Sequence, residues 1–280
     1  MSFFKVMYIT NDTEVALIAE KYGVDRIWID LEKLGKQERQ GHLDTVKSEH
    51  TIEDIKKIAS VLSKSELLVR INPINKNTEK EINQVIEAGA QIIMLPMWKS
   101  VQDVKDFLKF VNKRVKTILL LETKEAVECL DEVLEYGGFN EIHLGLNDLH
   151  LSYNLNFMFE LLTNGLVEQL CNKLKKYGIP YGFGGIAKLG EGLLPAEKII
   201  MEHYRLESTR VILSRGFCKV EKNFNITDVE LLFKYEMKKL RNYENEVQNS
   251  SEELLVKNKK NIKVYVDSIV KDLKEKKSCN

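Results

Sequence analysis

The chain has 280 residues, enough for one large domain or two small ones. Its 42 lysines and arginines balance 42 aspartates and glutamates, which argues against a protein that attracts nucleic acid or an anionic membrane through its overall charge. The four cysteines form no Cys-x-x-Cys pair, a distribution typical of reduced thiols rather than of a disulfide framework or a thiolate zinc site. The first residues, MSFFKVMYITND, lack the pattern of a signal peptide, and no apolar run reaches the roughly 18 residues of a membrane span. We therefore expect a cytoplasmic protein.

Short apolar runs recur along the chain about every 25 residues, and each predicts a buried strand. The eight runs are residues 4–10, 26–32, 66–72, 91–97, 116–123, 141–148, 179–186 and 209–215. Segments with apolar residues three and four apart alternate with them and predict helices, several of which end at glycine. These helices are residues 51–63, 78–89, 101–113, 124–138 and 165–178. Strict alternation of buried strands and helices predicts an α/β fold of the TIM (β/α)8 barrel type, with a doubly wound open sheet as the alternative.

Two segments exceed this simple repeat. The second unit carries a long polar insertion, residues 33–50, and the chain continues well beyond the eighth strand. That continuation predicts a helix from about Asn225, a polar break at residues 249–251 and a second, lysine-rich helix. We assign residues 1–220 to the catalytic barrel and 221–280 to a C-terminal helical extension. The apolar positions of the last helix predict packing on the barrel, with a second subunit as the alternative partner; they are Leu254, Leu255, Ile262, Val264, Val266, Ile269, Val270 and Leu273.

Polar residues stand where several predicted strands end, which in a barrel is where function concentrates. They are Asp30 and Glu32, Arg70 and Asn72, Glu122 and Thr123, and Asn147 and Asp148. The carboxylates Glu122 and Asp148 follow adjacent strands and are hard oxygen ligands that suit Mg²⁺ or Mn²⁺. Zinc fits less well, because His150 is the one imidazole near these residues.

Arg70 follows the third strand and offers a forked donor for a carboxylate. A 2-oxo acid has a carboxylate for Arg70 and an adjacent oxygen for the metal, which would make enolisation and carbon–carbon bond chemistry feasible. An ion pair of Arg70 with Glu122 or Asp148, without a metal, is equally compatible with the spacing.

Five ordered motifs resemble those of the 4-hydroxy-2-oxoheptanedioate aldolase and citrate lyase beta-subunit family (HpcH/HpaI aldolase-like), over roughly residues 18–216. The motifs are GVDRIWIDLEKLGK, LLVRINP, IIMLPM, LLLET and HLGLNDL. The resemblance implies a TIM barrel of the phosphoenolpyruvate/pyruvate superfamily that binds Mg²⁺ or a similar ion through Glu122 and Asp148. It also implies that Arg70 contacts the substrate carboxylate and that the backbone of Gly145, Leu146 and Asn147 lines the oxyanion side.

The sequence also departs from the aldolase pattern. Lys33 lies near the place of a histidine that usually acts through metal-bound water, and Leu120 replaces a frequent glutamine. Asp30 and Glu32 match acids of the citrate lyase branch, which makes Glu32, with Arg70, a candidate catalytic residue.

The insertion after the second strand carries further candidates. His42 and His50 lie where they could reach over the site, but we expect ordinary surface histidines. Lys36 and Arg39 resemble a substrate-facing loop of the lyase branch, or form a solvated face.

The predicted function is a divalent-metal-dependent carbon–carbon lyase of the aldolase type, acting through an enolate of pyruvate or a related 2-oxo acid. The alternatives are a citryl-CoA or malyl-CoA lyase-like enzyme and a non-catalytic barrel that binds metal and oxo acid with an assembly role. The predicted partners are a small 2-oxo acid or acyl-CoA, without nucleic acid or membrane. The resemblance further implies a homo-oligomer, a trimer or hexamer.

Overall fold

The eight predicted strands form a closed parallel barrel in chain order, which confirms the TIM-barrel prediction over the open sheet. A computed structural model describes residues 3–35, 49–214, 216–218 and 225–278. The strands are β1 (Lys5–Ile9), β2 (Arg26–Asp30), β3 (Glu66–Arg70), β4 (Ile92–Leu95), β5 (Lys116–Leu121), β6 (Glu141–Leu144), β7 (Tyr181–Ile186) and β8 (Arg210–Leu213). Each is slightly shorter than the apolar run that predicted it, because the polar ends of the runs enter loops.

Helices follow the strands, and several of them start at a capping residue. They are α1 (Thr13–Lys21), α2 (Ile52–Val61), α3 (Thr78–Glu87), α4 (Val101–Val111), α5 (Lys124–Glu128), α6 (Leu130–Tyr136), α7 (Leu146–Ser152), α8 (Glu160–Thr163), α9 (Leu166–Lys176), α10 (Ala196–Arg205), α11 (Ile226–Gln248) and α12 (Glu252–Ser278). Thr51 and Ser100 each form a capping box with an aspartate three residues later. The helix predicted over residues 124–138 is divided at Cys129 into α5 and α6. None of the helices in the described ranges is long and apolar enough to cross a membrane.

Internal contacts divide the chain into two compact units, one of residues 7–143 and one of residues 1–6 with 144–280. In the first unit, the register of β2 and β3 places Arg26 opposite Glu66 and Asp30 opposite Arg70. The interior between these pairs is apolar, with Ile27 and Leu67 fully buried. Charged pairs therefore occur at both ends of the same two strands, with an apolar layer between them.

A charged cluster closes the amino ends of the strands in this unit, and each member is the first residue of its strand. Arg26 is buried and donates from Nη1 and Nη2 to the two carboxylate oxygens of Glu141, at 2.8 and 2.6 Å. Its Nε donates to Glu66 at 3.2 Å, and Lys116 pairs with the other oxygen of Glu66. Because active sites of such barrels lie at the opposite, carboxyl-terminal face, a network at the amino-terminal face serves stability rather than catalysis.

In the second unit, the close approach of β7 and β8 requires glycine at position 182. A Cβ atom added to Gly182 would lie 2.1 Å from the carbonyl oxygen of Arg210, far inside van der Waals contact. The register between these strands shifts after Gly182, consistent with a local irregularity of the sheet.

The two tail helices, α11 and α12, were predicted with the break between them, and both pack on their own chain. In α11, Glu244 accepts the backbone N–H of Phe4 at 2.8 Å, and Arg241 donates to the Phe4 carbonyl oxygen at 3.2 Å. These bonds attach α11 to the residue before β1. The predicted domain boundary at residue 220 lies outside the described residues and stays a prediction.

The helix α12 packs on α10 through one stripe of residues four positions apart. The buried positions are Asn258, Ile262 and Val266. The Asn258 side-chain amide donates to the carbonyl oxygen of Lys198 on α10 at 3.0 Å. Leu254 and Val264, which the sequence also placed among the packing positions, are exposed. The predicted intrachain packing is thus confirmed for one stripe of the helix.

Candidate active site

Arg70 is held at the carboxyl end of β3 by the residue directly opposite it on β2. Its Nε and Nη2 donate to the two carboxylate oxygens of Asp30, both at 2.9 Å, which is a forked ion pair. Both side chains are largely buried. The guanidinium carbon lies 5.1 Å from the ring centroid of Trp28, two residues before Asp30. Alternate residues of a strand share one face, so Asp30 and Trp28 hold the guanidinium together, one by its edge and the other against its face.

Glu32 joins this pair immediately after β2. Its carboxylate lies 3.3 Å from Nη2 of Arg70, and its backbone N–H donates to Asp30 at 3.2 Å. Burial alone would lower the pKa of Arg70, but the attraction of Asp30, Glu32 and Glu122 raises it above its usual range. The guanidinium therefore stays charged in a buried site. The partners of Arg70 differ from the sequence-based alternative, in which it paired with Glu122 or Asp148.

Asn72 fixes the chain that follows Glu32. Its side-chain oxygen accepts the backbone N–H groups of Lys33 and Leu34, at 2.9 and 3.1 Å. Its side-chain amide donates to Glu81 on α3 at 2.8 Å, and burial raises the pKa of Glu81. Asn72 thus connects the loop after β2 to the loop after β3 and to α3. The sequence marked Asn72 only as a strand-end residue and gave no sign of Glu81.

Glu122 follows β5 directly and is buried. One of its carboxylate oxygens accepts the backbone N–H of Met97 at 3.0 Å. Met97 has a φ of +53°, a left-handed backbone conformation that residues other than glycine rarely adopt. Strain of this kind persists where neighbouring structure enforces it, often at functional sites. Here it directs a backbone N–H toward Glu122.

Thr123 stabilises the same turn from the other side. Its hydroxyl donates to the carbonyl oxygen of Trp98 at 2.9 Å and accepts the backbone N–H of Ala126 at 3.1 Å, which caps α5. The two residues that follow β5 therefore have different roles. Thr123 orders the loops after β4 and β5, and Glu122 presents its carboxylate.

The remaining predicted residues lie on α7, in the second unit. Gly145 precedes the first turn of α7, Leu146 is buried, and Asn147 and Asp148 are partly exposed. His150 donates from Nδ1 to the carbonyl oxygen of Leu146 at 3.2 Å, since a carbonyl can only accept. Burial lowers the pKa of His150, so the neutral imidazole is favoured.

Candidates in the insertion after β2 have mixed outcomes. His50 was expected at the surface, and this expectation was wrong: His50 is buried, and its Nδ1 accepts the backbone N–H of Asp30 at 3.0 Å. The last residue of the insertion, His50, therefore contacts the site directly. Lys36, Arg39 and His42 lie outside the described residues.

The donor set of this region fits a hard divalent cation. Asp30, Glu32 and Glu122 are each exposed by 3% or less, and Asp30 and Glu32 contact Arg70. Carboxylate oxygens are the hard ligands that Mg²⁺ and Mn²⁺ prefer. Within the described residues no group of three or more histidine, cysteine or acidic side chains has the arrangement of a metal site. Mg²⁺ needs only one or two carboxylates, because water and substrate oxygens complete its shell.

The fold and this region define a (β/α)8 barrel with an acidic, arginine-containing site at the carboxyl ends of its strands. A family model for HpcH/HpaI aldolase/citrate lyase matches residues 6–156, more than half of the chain, and the chain belongs to this family of lyases. The predicted family membership is thereby confirmed.

Solved structures show the same fold at low sequence identity. An HpcH/HpaI aldolase from Desulfitobacterium hafniense DCB-2 is 15% identical, with a TM-score of 0.59 over 75% of this chain and 86% of that one. An HpcH/HpaI aldolase/citrate lyase family protein from Burkholderia cenocepacia J2315 is 13% identical, with a TM-score of 0.57 over 85% and 93% of the two chains. A search of curated proteins found no significant match.

Proposed function

We propose that the protein is a divalent-metal-dependent carbon–carbon lyase of the aldolase type that acts through the enolate of pyruvate or a related 2-oxo acid. Membership of a lyase family supports the reaction class. The observation that carries the proposal is the buried group of Asp30, Glu32 and Glu122 around Arg70. Such a group combines a cation that can bind a carboxylate with acidic oxygen ligands.

Arg70 binds the substrate carboxylate in this proposal. Its Nε and Nη2 are used by Asp30, whereas Nη1 makes no hydrogen bond within the described residues. A contact between Nη1 and a ligand oxygen is therefore feasible, while Asp30 fixes the plane of the guanidinium. The backbone of Gly145, Leu146 and Asn147 lines the oxyanion side, as the family resemblance implied.

In this proposal Glu122 and Asp148 would hold the ion, Mg²⁺ or Mn²⁺. The hydrogen bond from Met97 orients Glu122 before any ion arrives, which lowers the cost of ordering the ligand. When bound, the ion polarises the keto oxygen and stabilises negative charge on the enolate.

Glu32 transfers the proton. It lies beside the guanidinium that binds the substrate, at 3.3 Å, so it is within reach of a ligand on Arg70. In the cleavage direction the substrate hydroxyl loses its proton to Glu32, and the bond between the hydroxyl-bearing carbon and the carbon next to the keto group breaks. The electron pair of that bond forms the enolate, and protonation of its carbon yields the 2-oxo acid.

A substrate panel tests this function. We expect release of pyruvate or oxaloacetate from hydroxy-oxo acids, dependent on Mg²⁺ or Mn²⁺, and a loss of about 100-fold or more in Glu122→Gln. Glu125→Gln is the matched control: it lies three residues later, is exposed and pairs with Lys99 at the surface, so its activity should stay near that of the wild type. Absence of turnover with every metal, or equal activity of the two variants, would refute the proposal.

A thioester lyase of the citryl-CoA or malyl-CoA type is the second candidate. Asp30 and Glu32, the acids that resemble the citrate lyase branch, are both buried beside Arg70, which favours it. Release of acetyl-CoA from an acyl-CoA in the same panel identifies this activity. Binding of metal and oxo acid without turnover would instead support the non-catalytic alternative.

A further inference from the structure

Both tryptophans of the chain have an unsatisfied indole N–H group. Trp28 on β2 and Trp98 after β4 are exposed by only 2% and 1%. The Nε1 atom of each is buried and has no hydrogen-bond partner within the described residues. Buried donors without a partner are costly and uncommon, and each calls for an acceptor that the described residues do not supply.

The two tryptophans differ in their surroundings. The ring of Trp28 lies against the guanidinium of Arg70, with the guanidinium carbon 5.1 Å from the ring centroid. The indole is therefore next to the group that binds the substrate carboxylate in the proposed function. Within the described ranges Trp98 makes no such contact with an arginine or lysine, and its backbone carbonyl accepts the hydroxyl of Thr123.

The order around Arg70 limits where an acceptor can bind. Asp30 takes Nε and Nη2 of the guanidinium, and the guanidinium carbon lies over the Trp28 ring, 5.1 Å from its centroid. A carboxylate ligand on Nη1 would therefore place oxygen atoms near the indole. Because an indole nitrogen only donates, it selects an oxygen acceptor and disfavours a ligand with an apolar group at that point.

We propose that the indole N–H of Trp28 donates a hydrogen bond to an oxygen of the carboxylate ligand that Arg70 binds, making Trp28 a substrate-binding residue. This inference rests on the proposed function, since it requires an oxo acid at Arg70. Trp28 would then help to select a ligand with an oxygen at this point. In the strand-two motif the sequence indicated only Asp30 and Glu32 as site residues.

The indole signals of the full-length protein report the contact directly. With ¹⁵N-labelled tryptophan the spectrum contains two indole N–H signals, and Trp98→Phe assigns them. On addition of pyruvate and Mg²⁺ to the wild type, we expect the Trp28 signal to move downfield and the Trp98 signal to move much less. A Trp28 signal that is unchanged when pyruvate is saturating would overturn the inference, and the titration itself uses the wild-type protein.

Calorimetry of pyruvate binding in the presence of Mg²⁺ separates this inference from the proposed function. Trp28→Phe keeps an aromatic face for Arg70 and removes the donor, so we expect its Kd to rise about 5- to 10-fold. Trp98→Phe removes an equally buried unpaired donor and should bind within about 2-fold of the wild type. Equal affinity of Trp28→Phe and wild type refutes the role of Trp28 alone. Absence of binding to the wild type refutes the oxo-acid function and, with it, this inference.

Discussion

At the scale of single residues, Arg70 is the centre of the site because its charge and its shape serve different purposes. The charge balances Asp30 and Glu32, and the forked shape permits simultaneous contact with Asp30 and a ligand. Lysine supplies the charge without the fork, and methionine supplies neither. Replacing Arg70 by lysine should therefore affect mainly ligand binding, and replacing it by methionine should also affect stability.

We expect Arg70→Lys to fold and to bind pyruvate about 10- to 100-fold more weakly, the range for loss of a hydrogen bond between charged groups. Arg70→Met leaves two buried carboxylates without this partner and should lower the free energy of unfolding by about 3–5 kcal/mol. Calorimetry and urea denaturation measure the two effects. Wild-type affinity in Arg70→Lys would show that the fork does not contact the ligand.

Glu81 gives a pH-dependent test of the contact that fixes the loop after β2. Burial raises its pKa in the folded state, so its contribution to stability is present below its ordinary value of 4.5 and is lost as pH rises through the folded value. Glu81→Gln keeps the carbonyl that accepts from Asn72 and removes the buried charge. We expect this variant to be more stable than the wild type at pH 7 and equally stable below about pH 4.

Denaturation of both proteins across this pH range measures the effect. Glu79→Gln on the exposed side of the same helix is the control and should show no comparable gain at pH 7. A gain for Glu81→Gln that does not change with pH would show that it has another cause.

At the scale of elements, β2 and β3 are joined by an ion pair at each end, and the two pairs have different roles. In the amino-end cluster, all three guanidinium nitrogens of Arg26 donate to Glu141 or Glu66. We expect Arg26→Met to lose about 3–5 kcal/mol of unfolding free energy, because it removes the buried cation that donates to the buried Glu141 carboxylate. Pyruvate binding at low temperature should be unchanged.

Lys116→Met is the comparison for that cluster. Lys116 pairs with Glu66, but its side chain is 54% exposed, so the expected loss is below about 1 kcal/mol. Both values come from urea denaturation. Similar losses in the two variants would contradict the assignment of Arg26 as the main stabilising cation of the amino end.

The elements were predictable from sequence to a greater extent than their contacts. Periodicity identified the eight strands and several of the helices between them, because buried strands are continuously apolar and surface helices are not. It did not identify α1 or α10. The pairing of Asp30 with Arg70 depends on the register of two strands 40 positions apart, which no local pattern encodes. His50 was misassigned for a similar reason: a polar insertion predicted exposure, but the chain returns to β2 at that residue.

At the scale of the whole molecule, the barrel fold and the membership of a lyase family are established, and the 2-oxo acid substrate is a proposal. Polar residues at strand ends predicted where function lies, because all strands of a closed parallel barrel place their carboxyl ends on one face. The metal ligands, Glu122 and Asp148, and the trimeric or hexameric state remain predictions. The sequence left open whether the apolar positions of α12 pack on a second subunit. Part of that surface packs on α10 of the same chain.

Exchange of the methyl protons of pyruvate in deuterated water is the most direct test of the central claim, because it requires enolate formation and no knowledge of the second substrate. Proton NMR should show loss of the methyl signal with enzyme and Mg²⁺ or Mn²⁺, and the wild-type rate should fall to the background rate when the metal is chelated. Glu122→Gln should be slower by about 100-fold or more, and Glu125→Gln should match the wild type. Exchange at the background rate with every metal, or exchange that is unchanged in Glu122→Gln, would contradict the proposed enolate mechanism.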